Sequence, residues 1–174
     1  TGTAFPVIAA SPGTPWRKLG HTDGGIKVQH SQTVVALRTD QVTAPVKAVR
    51  SEDDLMITFQ LAEVTPENYE LSLGDATSPH AEVAGHKVVT LYRGGFGVET
   101  VAMTVRGEKL SPRGNFNLQY EVPHVYQSGD PEVEYTKDAK ALLSCTFMAI
   151  AANAFDAGTV DDDVFGILRI GAHT

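Results

Sequence analysis

Over much of the chain apolar and polar residues alternate at every second position, the period of a strand with one face turned toward a core. Within residues 55–63, Leu55, Ile57, Phe59 and Leu61 alternate with Met56, Thr58, Gln60 and Ala62. Phe116, Leu118, Tyr120 and Val122 alternate more strictly with Asn117, Gln119 and Glu121. Weaker alternation covers residues 32–39, 87–93, 99–106, 142–150 and 164–170. The pattern predicts a mainly β fold of about seven strands, arranged as a β-sandwich or split barrel.

One stretch departs from period two. Thr65 is suited to cap a helix, Pro66 to fill its first position, and Glu67 and Glu70 to face the positive end of its dipole. Val64 and Tyr69 have the spacing of a hydrophobic staple, and Gly74 is a natural left-handed stop. One short flanking α-helix is therefore predicted over about residues 66–73. Two stretches read as exposed loops. Residues 40–54 carry Pro45 and the turn-like Ser51-Glu52-Asp53-Asp54, although Val46 to Val49 can continue a strand, and residues 127–138 are rich in Gly, Pro and acid. Without an internal repeat or a shift in composition, residues 1–174 read as a single domain with a long loop at about 40–54 and an extended N-terminal segment over 1–15.

A length of 174 residues suits one core, and 42% hydrophobic with 20% charged residues is the balance of an ordinary globule. The long uncharged run of residues 141–155 is interrupted by Ser144, Thr146 and Asn153, and no basic segment leads into an apolar stretch at the N-terminus. Neither a membrane anchor nor a signal peptide is expected. The net charge of −7 is spread evenly, −3 in residues 1–87 and −4 in residues 88–174. That is the wrong sign for gripping a phosphate backbone, yet it suits a surface past which DNA slides without sticking. The single cysteine, Cys145, excludes an intrachain disulfide and a cysteine-based zinc site and fits a reducing compartment.

Candidate chemistry is sparse. His21, His30, His80, His86, His124 and His173 include no pair at the spacing that presents two imidazoles to one metal. Gly94-Gly95-Phe96-Gly97 lacks the Lys-Ser/Thr ending of a phosphate loop and reads as a hairpin turn. Asp161-Asp162-Asp163 lacks EF-hand spacing and reads as a solvated acidic turn. Ser144-Cys145 has no nucleophile elbow around it, and Cys145 shares its face with Leu143, Phe147 and Ala149, as a small buried hydrophobe does. Glu132 and Glu134 fall on one face of an extended segment, but no partner base accompanies them. No catalytic residues, metal or cofactor are assigned, and a binding or assembly role moves ahead of an enzymatic one.

Three runs then resemble one family, the major tail tube proteins of long-tailed bacteriophages. The first is Pro15-Trp16-Arg17-Lys18-Leu19-Gly20-His21-Thr22-Asp23-Gly24-Gly25-Ile26, similar to the family's opening W-x-x-L-G-x-T-x-x-G-[VI]. The second comprises Thr39-Asp40-Gln41, Ala44-Pro45-Val46, Arg50-Ser51-Glu52-Asp53-Asp54-Leu55 and Thr58-Phe59-Gln60-Leu61-Ala62-Glu63-Val64-Thr65, similar to the family's loop, strand and entry into the helix. The third, residues 138–149, resembles the family's late strand. Residues 76–125 match nothing residue by residue, and there the reading rests on strand pattern alone.

The resemblance implies a β-sandwich or split barrel with one helix, assembled as hexameric rings stacked head to tail into a virion tail tube related to type VI secretion tubes. It implies assembly in the host bacterial cytoplasm, a tape-measure protein inside the tube during assembly, tail terminator or baseplate proteins at its ends, and DNA passing through the lumen unheld. A head-to-tail contact that does not close needs two unlike, complementary surfaces. Arg38, Lys47 and Arg50, opposed by Asp40, Glu52, Asp53 and Asp54, are the candidate ring-stacking set. The polar faces of residues 33–39 and 56–62 are candidates to line the lumen. The competing class is a monomeric β-sandwich module binding a ligand or carbohydrate.

Overall fold

The computed structural model describes residues 6, 13–39, 42–74, 81–89, 91, 98–111, 114–135, 140–151 and 164–172. Asp40, His80, His173, the 94–97 turn, the 161–163 acidic run and most of segment 1–15 lie outside them. The strands are β1 (Thr22–Thr39), β2 (Val42–Leu61), β3 (Ala81–Val83), β4 (His86–Val88), β5 (Val101–Ser111), β6 (Gly114–Gln127), β7 (Val133–Glu134), β8 (Leu142–Ala149) and β9 (Ile167–Ala172), with one helix, α1 (Pro66–Ser72). Strands β3 and β4 form a separate hairpin, and the other seven form one sheet that is not closed. The fold is mainly β with one short helix, as the alternation predicts.

The sheet runs β1-β2-β8-β6-β5, all antiparallel, with β7 added beside β8 and β9 beside β6. Strand β6 divides its second edge: residues 116–121 pair with β9, and residues 125–127 cross to β8. An irregular register between Val101 and Met103 accompanies that crossing. The sheet curls enough that its two ends, β1 and β5, line the same clefts.

The inner face carries the core. Ile57, Phe59 and Leu61 of β2 meet Leu143, Cys145, Phe147 and Ala149 of β8, with Met103, Val122, Val125 and Leu71 closing the cluster. Phe59 and Phe147, on neighbouring strands, stack with centroids 5.9 Å apart. Each fully buried side chain of this size contributes about 1.5–3 kcal/mol. β8 is the clearest product of period two, its residues alternating half-buried and buried from Leu142 to Ala149.

The opposite face of β5-β6-β9 is polar yet covered. Gln119 and Glu121 are 1% and 2% exposed. Arg106, Gln119 and Arg169 stand abreast on the three strands. Arg106 Nε donates to Gln119 Oε1 at 2.7 Å, and Arg169 Nε donates to Glu121 Oε1 at 2.8 Å. Gln119 Nε2 donates to Glu121 Oε1 at 2.6 Å and to the Pro6 carbonyl at 2.7 Å, which ties Pro6 to the sheet. Burying a charged side chain costs far less when it is paired and hydrogen-bonded in this way.

One reading needs correction. Residues 42–54 are not a loop: they are the first part of β2, paired with β1 by Val34↔Arg50, Val35↔Val49, Ala36↔Ala48 and Leu37↔Lys47. Pro45 is compatible with that strand because it falls in the irregular stretch between Leu37↔Lys47 and Thr39↔Val42, outside the regular pairing. The 127–138 loop likewise contains β7, anchored by Val133↔Leu143.

Candidate functional site

The β1-β2 hairpin is longer than the body that supports it. Strand β2 pairs with β8 only over Met56–Leu61, and residues 42–54 have β1 as their sole neighbour among the described residues. At about 3.3 Å per residue, residues 31–39 of β1, which span the same ribbon, set its reach beyond the sheet at about 30 Å. Its period-two sides are both apolar. Val35, Leu37 and Val49 share one face with Lys47, while Val34, Ala36, Val46 and Ala48 share the other with Arg50. Val34 is 56% and Val46 61% exposed. A two-stranded ribbon is marginal by itself, and apolar residues on both faces with both edges open is the pattern of a segment that is covered by something else.

The charges at the base of the arm answer one another. His30 Nε2 lies 3.7 Å from Asp53 Oδ1, and Arg50 Nη1 lies 3.8 Å from Asp53 Oδ2. Thr33 Oγ1 donates to Glu52 Oε2 at 3.4 Å, and Ser51 Oγ donates to the Thr33 carbonyl at 3.3 Å. The ring of His30 meets Phe165 edge-on at 6.3 Å, which ties the arm's root to the segment entering β9. Of the charged set picked out in the sequence, Arg50, Glu52 and Asp53 make these contacts, and Arg38, Lys47 and Asp54 also lie on the exposed surface of the arm. The sequence reading missed the apolar residues between these charges, although Val34-Val35-Ala36-Leu37 and Val46-Lys47-Ala48-Val49 carried the signal.

A second feature lies between the two ends of the sheet. A cleft of about 560 Å³ has walls from Trp16–Gly20, from Thr22 and Ile26 of β1, and from Met103–Arg106 of β5, with Phe59 and Leu61 at its floor. Helix α1 props one wall. Thr65 Oγ1 accepts from the Asn68 N–H at 3.2 Å, Pro66 opens the helix, and Gly74 follows it at φ +77°. Asn68, 2% exposed, donates to the carbonyls of Leu19 (2.9 Å) and Glu63 (3.0 Å) and accepts from Arg17 Nη1 (2.8 Å). Helix and N-terminal segment are in this way fixed to one another.

Reactive chemistry is not gathered anywhere among the described residues: no cluster of three or more His, Cys, Asp or Glu residues could hold a metal ion. The Cys145 thiol is buried and pushed up to about 11 by its desolvation, away from nucleophilic character. No described helix is long and apolar enough to cross a membrane. The phage tail tube protein family matches the chain over residues 1–161. No curated protein matches it.

Proposed function

Because the chain belongs to the phage tail tube protein family, a family of structural virion components, we propose that its copies close into hexameric rings that stack head to tail, and that the β1-β2 arm carries the contact between rings. The observation that carries this reading is the arm itself, apolar on both faces, with no further strand on either edge among the described residues, and about 30 Å long by strand geometry. Such a surface gains most when another copy covers it, and a contact between unlike surfaces generates a filament. Arg38, Asp40, Lys47 and Asp54 supply register and specificity, since exposed ion pairs add only about 0–1 kcal/mol each. The tube is the conduit for genome delivery. Its net charge of −7 per copy keeps DNA mobile within it, and a tape-measure protein and terminal proteins meet it inside and at its ends.

Negative-stain microscopy of the purified protein tests this directly. Wild type is expected to form rings or tubes, and Val35→Ser with Val49→Ser to leave shorter or no tubes while the body stays folded. Lys47→Glu with Arg50→Glu should change tube length or yield. A wild type that stays a monodisperse monomer under all conditions sinks the reading and favours the monomeric binding module.

A further inference from the structure

Two features remain that the arm does not use: the cleft between β1 and β5, and the acidic segment of residues 129–135. We infer that they are partners in trans, the acidic segment of one copy docking into the cleft of its neighbour within a ring. This rests on the tube reading above and assigns it a side-to-side contact.

The cleft is built to receive an extended chain. The outer edges of β1 and β5 have no strand beside them among the described residues, so both present unpaired main-chain groups to the gap they enclose. Trp16, Ile26, Phe59, Leu61, Met103 and Val105 give it an apolar interior. One wall of its rim is cationic, with Lys18 beside Arg17, whose guanidinium is held by Asn68 and the Glu67 carbonyl. A strand inserted here gains ladder hydrogen bonds from the edges and burial from the floor.

The occupant is indicated by charge and exposure. Asp130, Glu132 and Glu134 are all exposed carboxylates within five residues, and they end at Tyr135, 79% exposed. Tyrosine is among the side chains enriched at the anchors of such contacts, with an apolar ring for the floor and a hydroxyl for the rim. One edge of the segment is already held, since the Ser144 N–H donates to the Glu132 carbonyl at 3.1 Å and Val133 pairs with Leu143. The segment therefore cannot fold back into its own cleft. Val133, Leu143, Leu61 and Thr22 form one cross-strand row, which puts segment and cleft on opposite sides of four strands, about 14 Å apart. That row also sets the geometry. Both features lie at the same height, at the end of β2 away from the arm, so a neighbour engaged by them stands beside the copy rather than above it. The two surfaces are different parts of the chain, so the contact is heterologous and closes only as a ring.

The test links the two surfaces covalently. Lys18→Cys and Tyr135→Cys in one chain, oxidised after assembly, should give a ladder of covalent oligomers on a non-reducing gel, with neither single variant doing so; Cys145 is buried and stays a spectator. Independently, Glu132→Lys with Glu134→Lys should lower ring yield at least tenfold at low salt, and adding Lys18→Glu to the same chain should restore part of it. Wild-type rings accompanied by no ladder and by undiminished yield in the reversed variant would overturn the cleft assignment and leave the tube reading standing. A wild type that forms neither rings nor tubes removes both.

Discussion

Glu67 joins two elements through a single carboxylate. It lies against Lys87 Nζ of β4, and that contact, helped by its own backbone N–H at the start of α1, holds its pKa at about 2 instead of 4.5. Because the folded value is the lower one, the stabilisation is complete above pH 4.5 and is lost as the pH falls toward 2. The denaturation midpoint of wild type should therefore drop more steeply between pH 5 and 2 than that of Glu67→Gln; parallel curves would show that the contact does not form. Gly166 is constrained differently. A Cβ there would sit 2.5 Å from the Glu121 carbonyl oxygen, so only glycine lets the chain pass this close to β6 on its way into β9. Neither constraint is legible in the sequence, because Glu67 and Lys87, like Gly166 and Glu121, are brought together only by the fold.

Among the elements, α1 is the one the sequence specifies most fully, since its cap, first-turn proline and left-handed stop all lie within ten residues of one another. Replacing Thr65 by Ala removes the acceptor for the Asn68 N–H and should cost about 1 kcal/mol, read as a lowered midpoint in denaturant. An unchanged midpoint would mean that Asn68, held by Leu19, Glu63 and Arg17, positions the helix without the cap. Strand β8 and the second half of β2 were equally legible, because each buries one apolar side; β6 was legible as a strand, but there Gln119 and Glu121 are more deeply buried than Leu118 and Tyr120. The arm was not. Alternation reports one-sided burial, and a ribbon with valine and leucine on both sides shows none; Pro45 and the run Ser51-Glu52-Asp53-Asp54 completed the appearance of a loop.

At the scale of the whole molecule, buried and exposed apolar surface are divided between two regions. The body holds the buried cluster, and the arm holds exposed apolar surface with only its own partner strand. Amide exchange should expose this division. In the free subunit residues 42–54 are expected to exchange far faster than 57–61 and 143–149, and to slow by orders of magnitude once tubes form. Equal rates in subunit and tube would mean that nothing covers the arm. The cleft belongs to this scale too, since its walls come from residues as distant as Trp16, Ile26, Phe59 and Met103, and no local pattern announces it. The arm leaves the body at one end only. Any filament built from such subunits has polarity: one terminus displays free arms, and the other displays the surfaces that receive them. Initiation and capping then become separate recognition problems, and the factor that starts growth at one terminus need share no chemistry with the factor that halts it at the other.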